Sequence, residues 1–247
     1  MLTVDLNCDM GEGMKNDSAI MPFISSANIA CGFHAGNEQT MKQTVELALR
    51  YGVAIGAHPS FNDKENFGRS EMNLSNSEIY QLVTRQINIL AAIAKSSGAS
   101  LHHVKPHGAL YNMSARQEAV AAAIAKAVYD YNPALILFGL SESVSIREAR
   151  KAGLKTASEV FADRTYQDDG TLTSRKLPGA LIESKEQMAR QVLQMIKEKT
   201  VTTVSGKKIP ICAETVCIHG DGEHAAEFAA ELYTELKKNN IEIQKIR

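Results

Sequence analysis

The chain has 247 residues, 44% of them hydrophobic and 22% charged, with a formal net charge of −1; these are ordinary globular proportions, sufficient for a sizeable core. No excess of Lys and Arg supports non-specific nucleic-acid binding, and apolar runs such as ALILFGL (134–140) are far too short to span a membrane. The N-terminus MLTVDLNCDMGEG carries acids where a secretory signal would carry bases and a long apolar stretch, so a cytoplasmic location is expected.

Short apolar segments alternate with longer helical patterns along the chain, as βα units require. The segments LTVDLN (2–7), ANIACGFH (27–34) and VAIGAH (53–58) read as the first three strands. Between the second and third, NEQTMKQTVELALRYG (37–52) reads as a helix with Asn37 as N-cap, an apolar face of Met41, Val45 and Ala48/Leu49, and Gly52 as stop. A second helix over 75–98 starts at a Ser75/Glu78 capping box and buries Ile79, Leu82, Val83, Ile87 and Leu90. The fourth to seventh strands are LHHVKPH (101–107), ALILFGL (134–140), ASEVFAD (157–163) and TVCIHG (215–220), with helices expected at 116–131, 142–152, 184–199 and 222–239. A hairpin is expected over 200–211, turning at Ser205-Gly206, and IEIQKI (241–246) reads as an edge strand or tail. No Gly-rich dinucleotide fingerprint opens the first helix, and the strand spacing is even. A single domain over 1–247, folded as a seven-stranded parallel (β/α) barrel, is therefore expected.

Side chains alternate across a strand, so Leu2, Val4 and Leu6 share the helix-facing side of the first strand, while Asp5, Asn7 and, if it extends, Asp9 share the other. The same alternation sets Asn28 and His34, His58, then His103, Lys105 and His107, then Glu159 and Asp163, then Cys217 and His219 on inner faces. Polar groups at the C-terminal ends of parallel strands point to where such folds bind ligands. His102 is expected to face the helices. The four cysteines show no metal or disulfide spacing and read as reduced thiols.

Each signal has a plain counterpart. Asp5, Asn7 and Asp9 could cap a turn, and Glu12, between Gly11 and Gly13, could be a solvated acid. His34 and His58 could be satisfied core histidines or, with Asp5 or Asp9, ligands of a divalent metal. Lys105 on an inner face needs either a structural acid or an anionic ligand, and ligand binding is preferred. Arg164, which with Asp163 closes the sixth strand at the start of the long loop ADRTYQDDGTLTSR (162–175), could make a surface ion pair. The Gly220-Asp221-Gly222 turn could cradle a phosphate or cap a helix; no Walker motif is present.

The motifs VDLNCDMGEG (4–13), SANIACGFHAGN (26–37), IGAHPSF (55–61), NFGR (66–69), VKPHGALYN (104–112), EVFADRTYQDDGTL (159–172) and TVCIHGDGEHA (215–225) closely resemble the LamB/YcsF family, in order and across most of the chain. Asn37 stands where the family usually has Asp. The resemblance implies a seven-stranded barrel similar to polysaccharide deacetylases and a role as the A subunit of bacterial 5-oxoprolinase. Such an enzyme opens 5-oxoproline to L-glutamate, converts ATP (with Mg²⁺) to ADP and phosphate, and acts with B and C subunits. On that implication Lys105 and Arg164, with Arg69 in reserve, bind phosphate or carboxylate. Asp5, Asp9 and His107 are acid/base candidates, with Lys105 also counted as catalytic. Asn7, Glu12, Asn28 and Asp221 contribute to the substrate or nucleotide pocket; His34, His58, Asp163 and His219 shape it or hold a metal, the set Asp5, His34 and His58 being considered. The competing readings are a metal-dependent hydrolase of amides or N-acyl sugars and a non-catalytic ligand-binding subunit.

Overall fold

The computed structural model describes residues 2–219 and 225–247. Strand β1 (Leu2–Met10) is followed by a short helix α1 (Asp17–Ile20), β2 (Ser26–Ala30), α2 (Glu38–Tyr51), β3 (Ala54–His58) and α3 (Asn76–Ser96). Then come β4 (His103–Val104), α4 (Gly108–Ser114), α5 (Glu118–Tyr131), β5 (Ile136–Leu140), α6 (Val144–Lys151), β6 (Lys155–Phe161) and α7 (Lys185–Lys197). The chain finishes with β7 (Thr200–Thr202), β8 (Lys208–Pro210), β9 (Thr215–Ile218), α8 (Ala225–Lys238) and β10 (Ile241–Ile243).

Strands β1 to β6 pair in sequence order, and β9 pairs with both β6 and β1, closing a parallel barrel of seven strands. β7 and β8 form the antiparallel hairpin expected at 200–211, turning through Gly206 at φ +84°. The C-terminal segment is a strand: β10 pairs with Leu2–Val4, the part of β1 that precedes its pairing with β9.

Two helix starts follow from local chemistry. Asn37 and Thr40 exchange side-chain and backbone hydrogen bonds at the start of α2, as do Ser75 and Glu78 at α3, satisfying N–H groups that the first turn leaves orphaned. Gly52 ends α2 in the left-handed conformation at φ +69°. The buried face of α2 is Met41, Thr44, Val45 and Ala48; Leu49, expected inside, is 44% exposed.

Several strand ends differ from expectation. β2 stops at Ala30, and the chain turns through Gly32 (φ +84°), so His34 arrives from a loop. β6 ends at Phe161, which puts Asp163 and Arg164 in the loop beyond it. β4 is short because Pro106 has no N–H to donate. The chain nevertheless stays extended along β3, with the N–H groups of Lys105 and His107 donating to the carbonyls of Ala57 and Pro59 at 2.9 and 2.8 Å. His102 faces the tail rather than the helices: its Nε2 meets the Ile246 carbonyl at 2.8 Å.

The outer face of β1, with Val4, Leu6, Cys8 and Met10 all buried, packs towards the helices. The barrel interior is polar along β1, β2 and β9, unlike the branched aliphatic layers common in such barrels. Asp5 accepts from Ser25, Ser26 and Thr215 hydroxyls at 2.6, 2.7 and 2.5 Å. One layer up, Asn7 Nδ2 donates to Thr215 Oγ1 (2.6 Å) and Glu159 Oε1 (3.0 Å), and Asn28 Nδ2 donates to Asn7 Oδ1 at 2.8 Å. His103 Nε2 donates to Asn28 Oδ1 at 2.8 Å, its ring stacked 4.2 Å from that of Phe138 and lying where a Cβ on Gly56 would sit 2.1 Å away. With the Asp5 carboxylate and the Asn7 and Asn28 carbonyls all served, this layer costs little to bury and fixes the strand register.

Candidate active site at the C-terminal mouth of the barrel

Above the asparagine layer, Lys105 Nζ lies 2.9 Å from Asp9 Oδ1, 2.8 Å from Glu159 Oε1, 3.2 Å from Asn7 Oδ1 and 3.0 Å from Cys217 Sγ. The side chain is buried. Burial works against its charge, but Asp9, Cys217 and Glu159 hold the ammonium well above its usual pKa range. Asp9 is likewise penalised by burial, yet His58 and Lys105 pull its carboxyl well below the usual range. Lys105 is therefore a buried cation between two carboxylates, the structural pairing weighed above, and any anionic ligand would have to share it with them.

On the β1–β4 side, three histidines gather around Glu12. His34 Nε2 is 3.0 Å from Glu12 Oε1, His107 Nδ1 is 3.6 Å from the same oxygen, and His58 Nε2 is 3.9 Å from it. His58 Nε2 also lies 2.9 Å from His107 Nδ1 and 3.3 Å from Asp9 Oδ2. The His34 and His107 rings stack at 3.9 Å. Burial lowers the pKa of His34 to about 3 and that of His107 well below the usual range, so both are neutral.

On the β6–β9 side, His219 Nδ1 meets Asp163 Oδ2 at 2.7 Å, and its ring stacks 5.7 Å from Phe161. Burial penalises the Asp163 carboxylate, but His219, Arg175 and Arg164 hold it below the usual range. The buried Arg164 guanidinium donates to the Thr173 carbonyl at 2.5 Å, while its Nε has no hydrogen-bond partner among the described residues; burial and Arg175 lower its pKa to about 10. Glu159 Oε2 and the Tyr111 hydroxyl are also buried, with no well-formed hydrogen bond among the described residues. Burial and Glu159 push the Tyr111 phenol well above its ordinary pKa. These orphaned polar atoms are the kind that a polar ligand satisfies.

The structure thus brings Asp9, Glu12, His34, His58, Lys105 and His107 together at one end of the barrel, with Asp163, Arg164 and His219 on its β6–β9 side. Asn7 and Asn28 support them from below. Asp5 lies lower, saturated by three hydroxyls, and so the metal set Asp5, His34 and His58 does not assemble; Glu12 and His107 stand beside those histidines instead. Asp5 reaches no open face from which to move a proton, and burial raises its pKa. Arg69 is exposed, with its guanidinium 5.0 Å over the Phe67 ring. Asp221 and the Gly220-Asp221-Gly222 turn lie outside the described residues. Sequence reasoning left out Glu159, Tyr111, Cys217 and Ser60. Glu159 and Cys217 carried a usable signal, the period-two alternation that placed them inward; Tyr111 and Ser60 carried only their place within the motifs VKPHGALYN and IGAHPSF.

A family model for LamB/YcsF matches residues 4–247. The chain belongs to the LamB/YcsF family. A relative from Shouchella clausii (strain KSM-K16), named as the A subunit of 5-oxoprolinase, is 55% identical over 249 residues, covering 99% of this chain and 98% of that protein. The crystal structure of a lactam utilization protein from Thermus thermophilus superposes with a TM-score of 0.94 at 42% identity, covering 99% of this chain and all of that one. Peptidoglycan deacetylase PdaC from Bacillus subtilis shares the fold, with a TM-score of 0.51 at 13% identity over 99% of this chain and 88% of that one. Among the described residues no helix is long and apolar enough to cross a membrane.

Proposed function

We propose that this LamB/YcsF protein acts as the A subunit of an ATP-dependent 5-oxoprolinase, opening 5-oxoproline to L-glutamate together with B and C subunits. The observation that carries the reading is the buried Asp9–Lys105–Glu159 constellation at the barrel mouth, within a chain whose relatives bear that subunit's name.

A five-membered lactam is a resonance-stabilised amide, so water attacks it slowly until the carbonyl oxygen is activated. Phosphorylation of that oxygen by MgATP supplies the activation. Water then adds to the ring carbon and gives up a proton, the C–N bond breaks as nitrogen gains one, and a second water hydrolyses the resulting acyl phosphate to glutamate and phosphate. In this scheme Lys105 and the unpaired Arg164 Nε favour the negative charge that builds on oxygen and phosphate. Asp9 and His107 are the groups proposed to take and return protons, with His58 between them. Asp163 and His219 close the opposite wall.

The test is a reconstituted complex of the three subunits supplied with ATP and 5-oxoproline. Glutamate and ADP should appear together, and Lys105→Met and Glu159→Gln should each lower kcat at least tenfold while the chains still assemble. Absence of glutamate from the wild-type complex, or full turnover by both assembled variants, would sink the reading.

A further inference from the structure

We propose that Glu12, His34, His58 and His107 form a binding site for a single transition-metal ion of the zinc class. An ion there would occupy the lone pairs of His58 and His107, so in the metal-bound chain the proton transfers of the ring-opening reading fall to Asp9 rather than His107. The inference rests on where each imidazole is made to put its proton.

Carbonyl oxygens only accept hydrogen bonds, so the partner of one ring nitrogen decides the state of the other. His58 Nδ1 lies 2.7 Å from the Lys105 carbonyl and therefore carries hydrogen, which in the neutral ring leaves a lone pair on Nε2. His107 Nε2 lies 2.9 Å from the Phe67 carbonyl, leaving the lone pair on Nδ1. His34 Nδ1 lies 2.8 Å from Ser60 Oγ, whose own hydrogen is donated to the Phe61 carbonyl at 2.9 Å; Ser60 must accept, and the His34 lone pair is on Nε2. All three free lone pairs are the atoms that converge on Glu12. Together with its carboxylate oxygen they lie within 4.8 Å of one another.

With every ring neutral and its lone pair inward, these groups repel unless a proton or a metal cation lies between them. The His58 and His107 nitrogens stand 2.9 Å apart, and His34 Nε2 stands 3.0 Å from a carboxylate oxygen. A cation held among them turns both repulsions into bonds. A tetrahedral zinc ion with bonds of roughly 2.0–2.1 Å sets its ligand atoms about 3.3 Å apart, which falls inside the observed range. Outer hydrogen bonds that fix the tautomer of each ligating histidine are the usual support of such a site.

The backbone around the cluster is committed to this arrangement. Phe67 adopts φ +56°, a strained conformation for a bulky residue, in the turn whose carbonyl faces His107. A Cβ on Gly68 would lie 2.9 Å from His34 Cβ and 3.0 Å from His107 Cδ2, so glycine lets the turn back both rings. Gln86 of α3 holds Ser60 in place through its backbone N–H and carbonyl, at 2.9 and 2.8 Å. The other donor group in the mouth, Asp9, Cys217 and His219, already contains the Lys105 ammonium, 2.9 Å from Asp9 and 3.0 Å from Cys217, and carries no such inference.

The experiment uses the full chain alone, without ATP, 5-oxoproline or partner subunits, so its outcome is separate from that of the activity assay. Chelator-stripped protein is loaded with Zn²⁺ or Co²⁺ and gel-filtered, then metal content, thermal midpoint and the Co²⁺ absorption spectrum are measured. About one ion per chain should be retained, with a raised midpoint and the intense visible bands of low-coordinate cobalt. His34→Ala and His107→Ala should abolish retention, and Ser60→Ala, which frees the His34 tautomer, should weaken affinity about 10–100-fold. Failure of the wild-type chain to retain metal, unaltered Co²⁺ bands in folded His34→Ala or His107→Ala, or undiminished affinity in folded Ser60→Ala, would overturn the proposal.

Discussion

Asp9 joins the two halves of the mouth, because its two oxygens face different partners. Oδ1 accepts from Lys105 Nζ and from Asn28 Nδ2, both at 2.9 Å, and Oδ2 faces His58 at 3.3 Å. A carboxylate so placed cannot move without disturbing both sides. Asp163 plays a more separable part on the β6–β9 wall, since its ties run to His219, Arg164 and Arg175, and it offers a test by pH. Its folded pKa lies below the unfolded value of about 3.9, so its ionised form favours the folded state. That contribution is complete above the unfolded pKa and lost as pH falls through the lowered folded one. Asp163→Asn should therefore destabilise the protein at pH 7, and the difference from wild type should shrink as pH drops below about 4. Urea midpoints measured from pH 7 to pH 3 check this; a difference independent of pH would refute the linkage.

At the scale of elements, β3 shows how small residues on the inner face of a strand, Ala54 and Gly56, make room for chemistry. Its Gly56 pairs with His103 across the β3–β4 ladder, and the imidazole fills the volume that a side chain on Gly56 would take. Gly56→Ala would bring a Cβ to 2.1 Å from His103 Nε2, forcing the ring off Asn28. The expected cost is about 1–3 kcal/mol or more, read as a lower denaturant midpoint at an unchanged m-value. His103→Ala in the same chain should recover part of the loss, since the two positions share one volume; an unchanged midpoint for Gly56→Ala would exclude this packing. The alternation that placed Asn7, Asp9, Lys105 and Glu159 inward was legible in the sequence because a strand has a fixed period. The helix starts at Asn37 and Ser75 were legible because capping is local. Loops have no period, so nothing local shows that Gly32 turns the chain to deliver His34, or that Phe67 turns its carbonyl to His107. The polar saturation of Asp5 was hidden for another reason: Ser26 and Thr215 are distant in sequence and meet it only when the barrel closes.

At the scale of the whole molecule, β9 closes the barrel wall and the last residues seal its far end. β1 is long enough to serve two neighbours, pairing with β10 through Leu2–Val4 and with β9 through Asp5–Cys8. Beyond β10, the Gln244 N–H donates to the Val4 carbonyl at 3.0 Å, and the Ile246 carbonyl accepts from His102. Ile246 packs against Ile136, Phe138 and Ala157, which form a small apolar cluster separate from the main core. The tail thereby covers the end of the barrel opposite the mouth, beneath the layer where Phe138 stacks on His103. Ending the chain after Asn240 would remove Ile241, now 1% accessible, and with Ile246 gone would uncover that cluster. Burying one such side chain is worth about 1.5–3 kcal/mol, and each kcal/mol moves the melting point of a protein this size by about 2–4 °C. The truncated chain should therefore melt about 5–10 °C lower, with its mouth residues still assembled because β9 alone closes the barrel around them. Calorimetry decides the first point. The second is decided by metal retention in the truncated chain: if melting falls as expected but the wild-type level of retained ion is lost, the tail supports the mouth through the His103 layer rather than merely sealing the far end.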